Sequence, residues 1–173
     1  MSRSKEMAGF TLIELMVTIA VLAILISIAA PSMSDFVTRQ RIGSQATELL
    51  STLAAARAEA TKRNANIVVL PASSGANGWV SGWCFGPASI TNCQDTSTIQ
   101  HYDAMSGVEI SSDYQLSANK LTFRRDGSLL SGLSARPFKV NAPSSSSVTD
   151  ARCIDINAVG RATVRSVARD TSC

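Results

Sequence analysis

The sequence predicts an α+β protein: a long N-terminal α-helix, transmembrane in its first half, packed on an antiparallel β-sheet domain. Three observations predict it. Residues 10–30 form an apolar run in which Glu14 is the only charged residue. Residues 42–60 carry an apolar stripe at helical spacing. From residue 65 onward the pattern changes to short β-branched runs separated by turn residues.

The apolar run comes first. Its 21 residues make a helix of about 31 Å, close to the ~30 Å hydrocarbon thickness of a bilayer. A carboxylate within such a span costs roughly 2.5–3.5 kcal/mol on the insertion scale, so Glu14 needs a partner and a purpose. Ahead of the run, residues 1–9 are polar and carry Arg3, Lys5 and Glu6. Positive charge there holds that end in the cytoplasm and sends the rest of the chain outward. A secretory signal would have a shorter apolar core with its cut after it. Here the candidate cut precedes the run, after Gly9, and would leave the helix on the mature chain. The new terminus is then the amine of Phe10. Glu14 follows four residues later on the same helical face, at the positive end of the helix dipole. Its carboxylate can pair with that amine or with a neighbouring chain's.

Residues 5–14 read KEMAGFTLIE. They resemble the processing site of class III signal peptides in type IV pilins and type II secretion pseudopilins. The resemblance implies that a prepilin peptidase cuts between Gly9 and Phe10 and methylates the Phe10 amine. It also implies that Glu14 is the assembly carboxylate, matching a neighbour's terminal amine as subunits enter the filament.

Pro31 interrupts the helix about six turns in, where loss of one backbone bond produces a kink. The helix then resumes. Ile42, Ala46, Leu49, Leu53, Ala56 and Ala60 recur at three- and four-residue steps. Arg39, Arg41, Arg57, Lys62 and Arg63 lie mostly off this stripe, and Glu59 is spaced to pair with Lys62 and Arg63. The expected division is a leader at 1–9, a transmembrane helix at 10–30, an amphipathic helix at 31–64 and a β-rich periplasmic domain at 65–173.

Strands are expected at 67–70, 79–85, 99–102, 108–111, 120–123, 138–141, 153–157 and 163–167. Asp126-Gly127 marks a turn, and residues 73–78 and 144–147 are loops. Many short strands with turns between them mean an antiparallel sheet.

Removing the leader takes the side-chain charge from +3 to +2. That is too mild to demand an anionic partner. Cys84, Cys93, Cys153 and Cys173 in an exported domain suggest disulfides, with three pairings open. The short-range pairing, Cys84–Cys93 with Cys153–Cys173, is the expected one. Its second bond would contribute roughly 3 kcal/mol in the chain-entropy model. A metal site is not expected, because there is no C-x-x-C and only one histidine.

A second resemblance lies downstream. It is carried by Gly78-Trp79 with Gly82-Trp83, by 121–123 followed by Asp126-Gly127, and by 153–157 with Gly160-Arg161. These are similar to the GspH/FimT/FimU group of minor pilins and minor pseudopilins, nearest the FimU type. The resemblance implies the pilin fold with two sheets and a structural, non-enzymatic subunit without cofactor. Such a subunit primes pilus assembly and sits at or near the tip, linking other minor pilins to the major pilin. Its partners would be those pilins, the prepilin peptidase and an inner-membrane assembly platform. It would be held in the bacterial inner membrane before entering the pilus. The same motifs also fit a GspH-type pseudopilin of type II secretion.

Candidate chemistry outside the N-terminal motif is sparse. His101 and Asp103 would share a strand face, a weak pattern for a dyad or a metal pair. In the tail, Arg161, Thr163, Arg165, Val167 and Arg169 alternate with Ala162, Val164, Ser166 and Ala168. As a strand this would present one exposed arginine ladder, with the small residues facing the sheet. Arg161, Arg165 and Arg169 are therefore candidate DNA contacts. FimT-type relatives that take up DNA carry Gly-Arg-x-Arg, and here Thr163 stands in place of the second arginine. Charged residues on an edge strand also discourage stray pairing.

Overall fold

The computed structural model describes residues 10–75, 78–103, 105–114, 120–130 and 136–173, with only the backbone described at 28–32. Helix α1 spans Leu12–Arg63. It is assigned without a break across Pro31, so the missing N–H there does not end the helix. The chain divides into two units after Phe36.

The unit from Val37 to Cys173 contains the core. Its part of α1 buries Ile42, Ala46, Leu49, Leu53, Ala56 and Ala60, each at most 1% exposed. Burying each larger aliphatic chain here contributes about 1.5–3 kcal/mol, and the alanines leave room for close approach of the sheets. The helix closes on a Schellman motif: Ala65 N–H donates to Ala60 O and Asn64 N–H to Thr61 O. Asn64 takes the left-handed conformation at φ 49°. Glu59 pairs with Lys62 at 3.1 Å and Arg63 at 2.5 Å. These contacts, Arg63's first, lower the carboxyl's pKa.

Eight strands follow: β1 Ile67–Pro71, β2 Trp83–Pro87, β3 Gln100–Tyr102, β4 Glu109–Ser112, β5 Leu121–Phe123, β6 Phe138–Asn141, β7 Asp150–Ile156 and β8 Ala162–Ala168. They form two antiparallel four-stranded sheets, ordered β3-β2-β1-β5 and β4-β6-β7-β8. All five residues of β1 are buried. Ile67 and Val69 join the main core, while Val68 and Leu70 join a second cluster with Cys84, Ile90 and Cys93. Coverage on both faces is why β1 reads as a continuous apolar run rather than an alternation.

The expected strand at 79–85 is corrected. Gly78–Ser81 is a 3-10 turn and β2 begins at Trp83. Gly82, at φ 106°, separates the two. Both tryptophans are buried in the core, Trp79 from the turn and Trp83 from the strand. Trp79 Nε1 donates to Tyr114 O at 2.7 Å and packs edge-on to Phe138. Trp83 Nε1 donates to Thr52 Oγ1 at 3.1 Å, tying sheet to helix. β6 matches the expected 138–141 at both ends, and the remaining strands differ by one to three residues at an end, as hydrogen-bonded pairing extends or trims each apolar run.

Candidate functional site

The N-terminal unit presents the chemistry that the sequence singles out. Thr11 is the N-cap of α1: its hydroxyl accepts the N–H of Glu14 at 3.2 Å, and its carbonyl accepts that of Leu15 at 3.2 Å. Thr11 and Glu14 thus stand at Ncap and N3, with the Thr11 half of a T-x-x-E capping box formed. Glu14 lies in the first turn, where the helix dipole favours negative charge. Phe10 precedes the helix and is 84% exposed. Gly9 and the rest of the leader, 1–9, lie outside the described residues.

From Leu12 to Ile26 every large apolar side chain is more than half exposed. The hydroxyls in this stretch are satisfied within the helix: Thr18 donates to Leu15 O and Ser27 to Ile24 O, both at 2.7 Å. Glu14 is left as the one polar side chain there that makes no bond to another described residue. Among the described residues no helix is long and apolar enough to cross a membrane.

In the second unit, Cys84 bonds Cys93 and Cys153 bonds Cys173. The first bond pins the loop after β2 over the outer face of β1, closing the second apolar cluster. The second holds the C-terminal segment against the outer face of the other sheet. Lys139 reinforces it, donating to Arg169 O and, at 2.9 Å, to Thr171 O.

The arginine tail departs from a free ladder. Arg161 precedes β8 and its side chain is exposed. Arg165 is folded onto Asp155 at 2.8 Å and donates to Cys173 O. Arg169 is half-buried, its Nη1 donating to Pro143 O, Ser146 O and Val148 O. Of the small residues, Ala162 packs against the core, whereas Val164, Ser166 and Ala168 are exposed, because β8 is an edge strand that runs beyond the packed core. His101 Nε2 lies 3.2 Å from Asp103 Oδ1, an exposed pair on edge strand β3. Among the described residues no three His, Cys, Asp or Glu side chains converge as a metal site.

Contacts between distant segments are the part that motif reading missed. Arg41 reaches Ser106 O at 3.3 Å, and Gln45, though buried, accepts the N–H of Met105 at 2.8 Å. Arg57 Nε donates to Gly127 O at 3.1 Å. The Asp126-Gly127 turn is closed by Ser128, whose hydroxyl and N–H both donate to Asp126 and lower its pKa. The signal that could have pointed to this cluster is the pair of turn glycines, Gly127 and Gly160.

A protein-family model described as type II transport protein GspH matches residues 45–160, well over half of the chain. The chain belongs to the GspH family. A second model, described as the prokaryotic N-terminal methylation motif, matches residues 5–30, which contain Gly9, Phe10 and Glu14. Comparison with curated proteins returns no match. Among solved structures, this GspH-family chain is similar to the type IV minor pilin FimU of Pseudomonas aeruginosa. One crystal form superposes with a TM-score of 0.59 at 20% identity, covering 75% of this chain and 92% of that one. It is also similar to the minor pseudopilin EpsH of the type 2 secretion system of Vibrio cholerae. There the TM-score is 0.52 at 10% identity, covering 76% of this chain and 99% of that one. At these identities the likeness is one of fold. This GspH-family member thus carries the N-terminal methylation motif and shares its fold with a minor pilin and a minor pseudopilin.

Proposed function

We propose that this chain is a minor type IV pilin that primes pilus assembly and sits at or near the tip, linking other minor pilins to the major pilin. The observation that carries this reading is the helix of the first unit, apolar on every face, with one carboxylate in its first turn. A helix of that kind is stable in a bilayer or among other apolar helices. Residues 10–30 hold the precursor in the inner membrane, N-terminus cytoplasmic and β domain periplasmic. Cleavage after Gly9 frees the Phe10 amine, which is then methylated. Thr11 fixes the helix start, so Glu14 stays in the first turn where it can meet that amine or a neighbour's. The hydroxyls of Thr18 and Ser27 ask for no outside partner, so the cost of burying this helix concentrates on Glu14.

Glu14→Ala should give a processed, membrane-inserted protein that enters few filaments. Normal pilus numbers in a strain carrying only that variant would sink the proposal. Replacing Gly9 should leave a precursor of unchanged gel mobility; normal maturation would remove the proposed cut site.

A second reading is a GspH-type pseudopilin of type II secretion, favoured by the description of the matching family model and by the fold likeness to EpsH. A deletion strain separates the two: loss of twitching with normal secretion supports the pilus, and the reverse supports secretion.

A further inference from the structure

The two disulfides lie in opposite surroundings. Cys84 and Cys93 are 0% and 8% exposed and share an apolar cluster with Val68, Leu70 and Ile90. Cys93 Sγ lies 3.8 Å from Leu70 O and 3.7 Å from Pro71 O. Negative charge on either sulfur would be desolvated, and on Cys93 it would also face carbonyl oxygens; both effects oppose a thiolate there.

Cys153 and Cys173 are placed differently. Cys153 is wholly buried yet belongs to neither apolar cluster. Ile154 and Ile156 enter the core, so alternation along β7 turns Cys153 to the outer face of the sheet, under the tail that its bond to Cys173 holds there. Cys173 is partly exposed, and Thr171 and Ser172 before it are exposed. In register, Cys153 stands between Lys139 of β6 and Arg165 of β8. Side chains opposite one another on a sheet face have Cβ atoms about 4.5–5.5 Å apart. Arg165 is compensated by Asp155 at 2.8 Å. Lys139 is not: its ammonium donates to the carbonyls of Arg169 and Thr171, and among the described residues it meets no carboxylate.

Thiol–disulfide exchange needs one sulfur that an attacking thiolate can reach and a second that leaves readily as thiolate. Cys173 supplies the first. Cys153 supplies the second, because an ammonium beside a sulfur stabilises its thiolate. We propose that Cys153–Cys173 is a thiol–disulfide exchange site, opened by a dithiol oxidoreductase of the Cys-x-x-Cys class through attack on Cys173, while Cys84–Cys93 stays closed. The incoming thiolate bonds to Cys173 Sγ. The Cys153–Cys173 bond breaks, and its electron pair leaves on Cys153 beside Lys139. The partner's second thiol then displaces Cys173. The partner departs as a disulfide, having given two electrons, and its two thiol protons end on Cys153 and Cys173. The bond joins β7 to the tail and no strand to another, so both sheets keep their pairing. What loosens is the end of the tail, over Cys153. Lys139 still holds Thr171 O, two residues before Cys173, which keeps that thiol at high effective concentration and makes the opening reversible. The site stands whether the chain serves a pilus or a secretion system.

Reduced glutathione is the probe, applied to the oxidised full chain in detergent. Free thiols are trapped with iodoacetamide at timed intervals and located by mass spectrometry. Glutathione should appear on Cys173 with Cys153 alkylated, at least about tenfold sooner than Cys84 or Cys93 reacts. Lys139→Gln should slow this opening about tenfold and leave Cys84–Cys93 unchanged, and Lys139→Arg should restore the native rate. A purely structural role for Lys139, as a clasp on the tail, predicts the reverse: faster opening in Lys139→Gln. The rate ratio and the position of glutathione are read on the native chain, so they decide the matter even where a variant misfolds. Equal rates at the two bonds, or glutathione on Cys153, overturns the proposal. Opening in Lys139→Gln at or above the native rate, with Cys84–Cys93 still closed, overturns it as well.

Discussion

Gly160 lies so close to the carbonyl of Gly127 that a Cβ on it would sit 2.1 Å from that oxygen. Its φ of 78° also places it in the left-handed region. The same Gly127 carbonyl accepts the Arg57 Nε–H, and Leu129 N–H donates to Ala158 O at 3.1 Å. Helix, β5–β6 turn and β7–β8 turn are therefore locked at one point. Gly160→Ala adds a backbone clash to a strained φ, and it should cost more than about 2 kcal/mol. Urea unfolding of the full chain in detergent measures this. Gly43→Ala is the contrasting change, since a Cβ there meets nothing within 4 Å. It should stabilise by up to about 1 kcal/mol through helix propensity. Equal effects at both positions would contradict the packing.

Thr52 makes a second tie. Its hydroxyl accepts the Trp83 indole N–H at 3.1 Å and donates to Glu48 O at 2.8 Å, with both side chains wholly buried. Thr52→Val preserves the shape and strands the indole N–H, at a cost of about 1–3 kcal/mol. Trp83→Phe in that background should cost less than in the native chain, because the unpaired donor is gone. A double-mutant cycle reads the coupling; strict additivity would deny the bond.

These ties explain which features were legible in the sequence. The helix stripe was legible because a 3.6-residue period is a local property, and the six residues it names are the six apolar ones that α1 buries, beside the polar Gln45 and Thr52. Most strands were legible because β-branched runs end at turn residues. The 79–85 segment was not, since a glycine between two tryptophans fits a strand as well as a turn until Tyr114 O is seen to accept the Trp79 N–H. Nor was the fate of the tail arginines legible. Asp155 lies ten residues before Arg165, and Pro143 lies 26 before Arg169. Alternation along a strand reports which way a side chain leaves the backbone, not what it meets.

The tail yields a prediction of its own. Cys173→Ser removes the Cys153–Cys173 bond, which closes a separation of 20 residues and should cost roughly 3 kcal/mol. The Lys139 contacts to Arg169 O and Thr171 O remain, so the sheet should persist while the tail loosens. Hydrogen exchange should rise at Thr171 and Ser172 and change little in β6 and β7. Wholesale loss of protection in β7 would mean that the disulfide holds the sheet itself.

Tyr114 gives a pH dependence whose sign follows from its burial. Its ring is 1% exposed, lies 5.5 Å from Phe138, and its hydroxyl accepts the Arg136 N–H at 3.2 Å. Desolvation is the largest influence and raises the phenol pKa, opposed by the Arg136 contact. The unfolded chain then loses this proton first, near pH ~10. The stability tied to the neutral phenol is fully present below that pH. It is lost progressively as pH rises from there through the folded value. Unfolding above pH ~10 should therefore release a proton from Tyr114, and stability should fall more steeply there than in Tyr114→Phe. Phenolate absorbance of the folded protein, native against variant, isolates the group. Ionisation of Tyr114 at the ordinary tyrosine value, with no difference in slope between the two proteins, would rule out this coupling.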